Sequence, residues 1–484
     1  MNKTILPDRQ IQSAIRALRQ QYEEDLSLLV GIPSVSSEPD RAPDVRHCAD
    51  AAAGLLRRTG ATVEVVPTEG HPVVHAVLGT DPGNPAVAIY NHLDVQPADP
   101  GEWSSDPFTL TIHSGRYIGR GATDDKGPAL AAMTAAALAH DAGIPLNYHF
   151  IWELEEEIGS PHFASFLRAR KRQIAADSIL VSDTIWVAAG TPSIPYGLRG
   201  LLPATLSLQT AKADVHSGVA GGVARNPLLE LSDLLAACCD AGTGRVKIPG
   251  FYDGVKRPRK GEMERSVAVS GFTAKGFAND LGLTSIRPNL PTDLDVVKAF
   301  SVMPTFEVHG ITGGYTGPGA KAIVPHRAEA RVSMRLVPGQ DPARIARLLR
   351  EFVKKRNPDI RVTTFPALQP YLGDHKGPYA AAARSAMKAA FGKEPAYTRE
   401  GGSIGAVVAM DRILRVPITF LGLSLPSHGY HSRNEHFDWG QASGGIHMFL
   451  RYFGEIAKIR PPRRRRKQGK AKVSQGNIHG ILHR

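Results

Sequence analysis

Several apolar segments of this 484-residue chain end in side chains that can bind metal ions or move protons. The apolar run at residues 86–95 contains His92 and Asp94, which are two positions apart and therefore share one face of a predicted strand. A neutral imidazole can bind a metal through one ring nitrogen while a carboxylate fixes its tautomer through the other. His92 is thus a candidate ligand and Asp94 its candidate orienting partner. For this pair taken alone, a structural hydrogen bond is the alternative.

A second segment, GRGATDDKGP at residues 119–128, places two adjacent acids in a glycine-flanked loop before a predicted helix. Glycine permits the sharp bends that such a loop needs. A carboxylate of Asp124 or Asp125 can bridge two cations, and a helix N-cap is the alternative. The loop by itself fits both functions.

A third segment, Glu155, Glu156 and Glu157, follows a predicted buried strand at residues 148–154. Packed like charges repel one another unless a cation or a proton neutralises them. The run therefore predicts one acid that binds metal and a neighbouring acid that acts as a general base.

Two more segments complete the set. Asp183 ends the apolar residues 179–182, and His431 lies in a polar segment at residues 429–435. Ligands of open α/β sheets bind at the carboxyl ends of the strands, so we expect these segments to meet. Carboxylates together with imidazoles suit zinc, manganese or cobalt. Two such cations about 3.5 Å apart would polarise a carbonyl and generate hydroxide near neutral pH, which is metallohydrolase chemistry.

The elements that must position these side chains alternate between helix and strand. Helices are predicted at residues 8–30, 43–60, 127–140 and 161–173, and strands at residues 62–66, 75–78, 86–95, 148–154 and 178–182. This alternation predicts an α/β fold with a mostly parallel sheet and helices on both faces.

After residue 199 the pattern changes to that of an α+β unit. Its predicted strands are residues 202–209, 301–309, 328–337 and 361–365, and its helices are residues 227–239 and 342–355. The α/β pattern then returns with helices at residues 379–391 and 440–459 and a strand at residues 413–421. We therefore predict a catalytic α/β domain in two segments, residues 1–198 and 377–460, around an inserted α+β domain at residues 199–376.

The net charge of +12 is unevenly distributed along the chain. Eight basic residues and no acid lie in residues 461–484, which leaves +4 for the rest. This disfavours a phosphate-binding face on the folded part and predicts a disordered basic tail. The tail is interpreted first as a solubilising extension, and otherwise as a weak contact for nucleic acid or anionic surfaces.

The remaining composition predicts a cytoplasmic protein with no membrane partner. Cys48, Cys238 and Cys239 lack metal-knuckle spacing and predict reduced thiols. No window has the ~18 consecutive apolar residues of a membrane span. Residues 1–20 lack the apolar segment of a secretory signal.

Three long segments resemble the dizinc peptidase family that includes acetylornithine deacetylase, succinyl-diaminopimelate desuccinylase, glutamate carboxypeptidase and the carnosine and cytosolic nonspecific dipeptidases. They are HLDVQPA at residues 92–98, RGATDDKGP at residues 120–128 and REGGS at residues 399–403. The likeness extends over residues 10–460 and is greatest to the dipeptidase branch.

This resemblance implies a role for each candidate ligand. Asp124 would bridge two divalent ions, His92 and Asp183 would complete one metal site, and Glu157 and His431 would complete the other. Zinc is the expected metal, with manganese or cobalt as alternatives. An Asp instead of a Glu at position 183 is similar to the dipeptidase and aminopeptidase branches.

The resemblance also implies that Glu156 is the general base and that Asp94 orients His92. It further implies a non-proline cis peptide bond after the bridging Asp124.

The inserted domain resembles a lid that also forms a dimer contact. Its segment DVHSG contains His216, which in such enzymes stabilises the oxyanion across the dimer, and its segment SMRLVP contains Arg335, which would grip the substrate carboxylate. Gly402 and Ser403 resemble contacts to the same end of the substrate. The resemblance thus implies a homodimer through the lid domain.

Two residues depart from the family pattern. Asn91 stands where the family usually has glycine, and because Asn tolerates positive φ we expect only local adjustment. Ala322 stands where the dipeptidase branch has a threonine that contacts the substrate, so one substrate hydrogen bond is expected to be missing.

The implied activity is metal-dependent hydrolysis of dipeptides at the amide bond next to a free C-terminal carboxylate, with Glu156 deprotonating the attacking water. The alternatives are an N-acyl-amino-acid deacylase or carboxypeptidase of the same family, and a non-catalytic binding protein. The complete ligand set and the intact Glu156 disfavour the last of these.

Overall fold

The computed structural model describes residues 7–459 of the chain. The predicted basic tail at residues 461–484 lies outside the described residues. Among the helices of the described part, none has the length and apolar character needed to cross a membrane.

The helices and strands follow one another in three stretches of the chain. The first stretch contains α1 (Asp8–Ala17), α2 (Arg19–Val30), α3 (Ala42–Arg58), β1 (Thr62–Val66), β2 (Val73–Leu78), β3 (Ala86–His92), β4 (Thr111–His113), β5 (Arg116–Ile118), α4 (Gly127–Asp141), β6 (Asn147–Glu153), α5 (Phe163–Arg170), β7 (Ser178–Val181) and β8 (Ser193–Leu198). The second contains β9 (Gly200–Gln209), β10 (Val215–His216), α6 (Ser217–Ala220), α7 (Pro227–Cys238), α8 (Glu262–Ser270), α9 (Ala274–Asp280), α10 (Asp293–Ser301), β11 (Thr305–Gly313), β12 (Ile323–Val324), β13 (Arg327–Leu336), α11 (Pro342–Arg356) and β14 (Arg361–Thr364). The third contains β15 (Tyr371–Leu372), α12 (Pro378–Phe391), β16 (Ala396–Glu400), α13 (Gly405–Leu414), β17 (Ile418–Phe420), β18 (His436–Asp438) and α14 (Trp439–Ile456).

A six-stranded sheet with the order β1-β2-β6-β3-β7-β17 forms the centre of the α/β part. Strands β6, β3, β7 and β17 are mutually parallel, whereas β2 is antiparallel to both of its neighbours. The prediction of a mostly parallel sheet is confirmed. The carboxyl ends of the four parallel strands therefore lie along one edge of the sheet.

Alternating residues of β3 enter two different cores, so helices cover both faces of this sheet. Val87 and Ile89 pack in a core with α3, α4 and α14. Ala88 and Tyr90 pack in a second core with α5 and α13. Burial on both faces explains why this strand is an almost continuous apolar run.

The inserted stretch forms a separate antiparallel sheet with the order β11-β13-β9-β14. Alternate residues of β13, including Ala330 and Met334, are buried with α7 and α11 in a core of their own. The other residues of β13, including Arg335, face the opposite side of the sheet.

The connection between the two parts runs through a small sheet with the order β15-β8-β16. Strand β8 leads directly into β9 of the inserted sheet, and Arg199 alone separates them. One residue thus forms the first connection to the inserted sheet, and residues 365–370 between β14 and β15 form the return connection.

The structure corrects three element boundaries. The predicted strand at residues 413–421 is wrong in its first part, because Ile413 and Leu414 end helix α13 and the strand β17 begins only at Ile418. The predicted strand at residues 301–309 starts too early, since Ser301 ends helix α10. The predicted helix at residues 8–30 is divided at Leu18 into α1 and α2. Short apolar runs fit either helix or strand, and tertiary packing decides between them.

Candidate metal centre

Candidate ligands lie together at the carboxyl edge of the central sheet. His92 ends β3, Glu156 and Glu157 lie in the turn after β6, and Asp183 follows β7 by two residues. These ends coincide because β3 pairs in parallel with both β6 and β7. His431 enters from the loop that follows β17.

Asp124 lies between the two histidines and directs one carboxylate oxygen to each. Its Oδ1 is 2.9 Å from Nε2 of His92, and its Oδ2 is 3.0 Å from Nε2 of His431. On one side, Oδ2 of Asp183 is 3.9 Å from Nε2 of His92. On the other side, Oε2 of Glu157 is 3.2 Å from Nε2 of His431. The arrangement therefore has two halves that share one carboxylate.

Three of these separations, between 2.9 and 3.2 Å, suit ligand atoms that share a metal ion, whereas the 3.9 Å between Asp183 and His92 is longer. With metal–ligand bonds of about 2.0–2.2 Å, two atoms bound to one ion lie about 2.9–3.4 Å apart. Ligand atoms of His92, Asp124 and Glu157 all lie within 4.8 Å of one another. Imidazole and carboxylate donors match zinc, manganese or cobalt. The residues present therefore fit divalent metal ions.

Burial and mutual contact set the protonation of this cluster. Burial raises the pKa of Asp183 to about 7 and also raises the pKa of Glu157. Burial opposes protonation of His431, but hydrogen bonds to Asp124 and Glu157 outweigh it and raise its pKa to about 11. Without cations the cluster therefore retains protons, and bound cations would displace them.

Asp94 supports both His92 and the turn that carries the candidate base. Its carboxylate accepts hydrogen bonds from the backbone N–H of Glu156 at 3.1 Å, from that of Glu157 at 3.0 Å and from Oγ of Ser36 at 2.6 Å. Nδ1 of His92 lies 3.0 Å from the backbone carbonyl of Asp94 and 3.5 Å from its carboxylate. The nearer partner of the imidazole is thus the carbonyl and not the carboxylate that the sequence pattern indicates.

Glu156 lies in the short turn at the end of β6, half-buried. Burial raises the pKa of Glu156 well above its usual range, His92 opposes this, and Asp183 adds to it. A carboxyl group in such surroundings can take up and return a proton, as a general base must.

The chain matches known proteins in sequence. The profile of peptidase family M20/M25/M40 matches residues 88–455. This chain belongs to peptidase family M20/M25/M40. The M20 chain is 31% identical over 469 residues to the Cys-Gly metallodipeptidase dug1 of Schizosaccharomyces pombe, covering 92% of this chain and 97% of the relative. It is 30% identical over 448 residues to the human Beta-Ala-His dipeptidase, covering 88% of each protein.

Solved structures of M20 peptidases share its fold. The dipeptidase Dug1p of Saccharomyces cerevisiae superimposes with a TM-score of 0.85 at 25% identity, covering 95% of this chain and 100% of that structure. Human carnosine dipeptidase 1 superimposes with a TM-score of 0.82 at 29% identity, covering 93% of this chain and 99% of that structure.

Around the cluster, this M20 peptidase has the loop that the resemblance implies. The peptide bond between Asp124 and Asp125 is cis, as expected. Both oxygens of Glu435 hold this loop. Its Oε1 accepts hydrogen bonds from the backbone N–H groups of Thr123 and Asp124 at 3.0 and 3.1 Å, and its Oε2 accepts one from Arg120 at 2.6 Å.

Sequence reasoning assigned no role to Glu435, Arg120 or Gln96, although all three lie in segments with candidate ligands. Gln96 donates a hydrogen bond to Oε2 of Glu157 at 2.7 Å. Their polar character beside candidate ligands is a signal in the sequence, but their partners are distant along the chain and only the folded structure pairs them.

The predicted substrate contacts lie together at the junction of the two parts. Nη1 of Arg335 donates to Oγ of Ser403 at 3.1 Å, and Ser403 donates to the backbone carbonyl of Arg199 at 2.5 Å. The carbonyl of Gly402 accepts from the backbone N–H of Arg199 at 2.9 Å. Gly402 and Ser403 thus contact Arg199 directly, and Arg335 joins them through Ser403.

His216 is not among the contacts of the cluster within one chain. It is exposed on β10, which pairs with β12, and its Nδ1 accepts from the backbone N–H of Gly218 at 3.0 Å. Ala322 lies beside it, since its carbonyl accepts from the N–H of Ser217 at 2.9 Å. Within residues 7–459, no candidate metal ligand contacts His216.

The expected reason for tolerance of Asn91 is wrong. Asn91 lies within extended strand β3, and the described non-glycine residues with positive φ do not include it. Its buried amide instead donates to the carboxylate of Asp125 at 2.7 Å and to Oγ of Ser182 at 2.5 Å. The side chain of Asn91 therefore connects the loop that carries Asp124 and Asp125 to the residue that follows β7.

Proposed function

We propose that this M20 peptidase is a metal-dependent dipeptidase that hydrolyses the amide bond next to a free C-terminal carboxylate. The observation that carries the proposal is the carboxylate of Asp124, which directs one oxygen to His92 and the other to His431. The names of the relatives, Cys-Gly metallodipeptidase and Beta-Ala-His dipeptidase, support the same activity.

In this proposal His92, Asp124, Asp183, Glu157 and His431 hold two divalent ions. When bound, the ions polarise the scissile carbonyl and lower the pKa of water. Zinc is our first choice, with manganese or cobalt as alternatives, because imidazole and carboxylate donors suit all three.

Glu156 is the proposed general base, and Asp94 is proposed to orient His92 and also to support the turn that carries Glu156. Glu156 takes the proton of the attacking water and returns it to the leaving amine. Asp94 accepts hydrogen bonds from the backbone N–H groups of Glu156 and Glu157, which fixes the turn that carries Glu156.

Arg335, Gly402 and Ser403 are proposed to bind the free carboxylate. A guanidinium presents donors in a fork that matches a carboxylate. Glu400 precedes this group and accepts the backbone N–H of Ile185 at 2.7 Å. That hydrogen bond connects the carboxylate-binding loop to the segment that carries Asp183. It therefore joins the proposed carboxylate-binding residues to the candidate metal ligands.

We also propose a homodimer through the inserted lid domain, residues 199–376, in which His216 stabilises the oxyanion of the partner's substrate. Large apolar side chains beside His216 support an interface there. Val219 is 84% exposed and Val223 is 87% exposed. Exposed apolar groups of this kind mark interaction surfaces when they cluster.

The division into catalytic segments 1–198 and 377–460, the cytoplasmic location and the role of the tail are further proposals. Cys48 and Cys238 are buried free thiols, which suits a reducing compartment. Deletion of residues 461–484 is expected to leave hydrolysis unchanged, and a loss of nucleic-acid retention in that variant would make the tail an accessory contact.

The test is the release of free amino acids from dipeptides, tripeptides and N-acetyl amino acids by protein stripped of metal and reloaded with zinc or manganese. We expect metal-dependent cleavage of dipeptides with little turnover of the other two classes. A preference for N-acetyl amino acids would assign the protein to the deacylases, and the absence of turnover with either metal would refute the enzymatic proposal.

A further inference from the structure

Arg199 is the single residue that separates β8 of the α/β part from β9 of the inserted sheet. Two residues after Arg199, Leu201 of β9 pairs directly with Arg335 of β13. Arg199 is therefore itself a connection between the two parts and lies near the proposed carboxylate-binding arginine.

Three hydrogen bonds join Arg199 to the loop of Gly401, Gly402 and Ser403. Its backbone N–H donates to the carbonyl of Gly402 at 2.9 Å, and its Nε donates to the carbonyl of Gly401 at 2.9 Å. Its own carbonyl accepts from Oγ of Ser403 at 2.5 Å. Contact is close enough that a Cβ on Gly401 would lie 3.1 Å from Nη2 of Arg199.

The charge of Arg335 acts on Arg199, and Glu307 is an acidic group that opposes the effect of burial on the pKa of both arginines. Within residues 7–459 neither Arg199 nor Arg335 forms an ion pair, and their side-chain hydrogen bonds go to neutral oxygens. Burial, and then the charge of Arg335, lowers the pKa of Arg199 to about 10, with Glu307 acting in the opposite direction. Two mutually repelling cations in a partly buried site are stabilised by a bound anion.

We propose that Arg199 is a positioning residue that makes the substrate site selective for a free carboxylate. Its Nε holds the Gly401–Gly402–Ser403 loop against Arg335, and its charge adds to the potential at the carboxylate. This inference rests on the proposed dipeptidase function and extends it to a residue for which neither family motif nor metal chemistry accounts.

The test compares each dipeptide with the same dipeptide as its C-terminal amide. Arg199→Met removes both the charge and the Nε hydrogen bond, whereas Arg199→Lys retains the charge. We expect Arg199→Met to lower the ratio of kcat/KM for acid over amide by about tenfold or more, mainly through KM of the acid. Arg199→Lys should retain an intermediate ratio. Arg347→Met, on the exposed face of α11, is the matched control and should keep the wild-type ratio.

A binding measurement separates this inference from the proposed activity. Calorimetry with metal-free protein gives Kd for the acid and the amide without turnover. A wild-type preference for the acid that Arg199→Met loses supports the inference even if no dipeptide is hydrolysed, in which case only the proposed function fails. The inference would be overturned if Arg199→Met lowered kcat/KM, or the binding affinity, by the same factor for the acid and for the amide. A purely structural role would weaken both substrates alike.

Discussion

Arg120 and Glu435 form an ion pair in which both side chains are buried, with Nη1 2.6 Å from Oε2. The second oxygen of Glu435 accepts the backbone N–H groups of Thr123 and Asp124. One carboxylate thus neutralises a buried cation and also holds the loop that presents Asp124 to the two histidines. The geometry of the candidate metal ligands therefore depends on the Arg120–Glu435 ion pair, which contacts neither His92 nor His431.

Replacing Glu435 is expected to weaken both stability and metal binding. Glu435→Ala leaves the guanidinium of Arg120 buried without a counterion, which should cost about 3–5 kcal/mol of unfolding free energy. Glu435→Gln keeps the shape of the side chain and should cost less. Urea unfolding of the metal-free proteins measures the first effect, and competition with a chelator measures metal affinity. A change below about 1 kcal/mol in Glu435→Ala would contradict the importance of this pair.

Asp124→Asn should prevent the cluster from holding two ions. The amide nitrogen cannot act as the second anionic ligand, so the residue can no longer serve both halves of the site. After reloading and dialysis, we expect fewer than two ions per chain by elemental analysis. Asp40→Asn changes an exposed acid and is the control. Retention of two ions with unchanged affinity in Asp124→Asn would rule out a bridging role.

Glu156→Gln should abolish turnover without changing metal content. Loss of a general base typically costs about 10²–10⁴-fold in rate. The expected separation of effects follows because Glu156 is not one of the five proposed ligands. Rates of dipeptide hydrolysis and metal content are measured on the same preparation. A variant that kept more than a few per cent of the wild-type rate would exclude Glu156 as the base.

Asn91→Ala should destabilise the protein by about 1–3 kcal/mol, because the buried carboxylate of Asp125 and the hydroxyl of Ser182 each lose a hydrogen-bond partner. Urea unfolding of metal-free protein is the measurement, and Asn279→Ala, on an exposed position of α9, is the control. Equal unfolding free energies for the two variants would show that the amide at position 91 is dispensable.

The buried histidine pair His75 and His149 should make the metal-free protein acid-sensitive. Burial, then the neighbouring charges of His149 and Arg170, lower the pKa of His75 to about 4, with Glu64 opposing them. The unfolded chain, in which His75 has a pKa of about 6.5, binds a proton at a higher pH than the folded protein does. The contribution of His75 to the free energy of unfolding is therefore highest above pH 6.5 and decreases as the pH falls towards 4.

Substitution tests this titration directly. Relative to pH 7, His75 alone should account for about 2 kcal/mol of lost unfolding free energy at pH 5. His75→Phe fits beside Phe166, which already contacts the ring, and should show a correspondingly smaller loss between these two pH values. Identical losses in wild type and His75→Phe would show that this pair does not titrate as inferred.

The sequence by itself determined the alternation of helices and strands and the identity of the reactive groups. Apolar runs that end in His92, Glu157 and Asp183 predict buried parallel strands, and parallel strands place their carboxyl ends at one edge. These conclusions depend on local periodicity and residue type, which a linear sequence contains. The bridging role of Asp124 was implied by the resemblance of its motif to the dizinc peptidases, because the loop by itself also fits a helix N-cap.

Only the tertiary structure decided which distant groups meet. Arg120 and Glu435 are 315 positions apart, and Arg199 and Ser403 are 204 positions apart, so no local pattern pairs them. The same reason explains the error at Asn91, whose side chain is fixed by Asp125 and Ser182 and not by its own backbone preference. Burial turns ordinary polar residues into obligatory partners, and burial is a property of the folded chain.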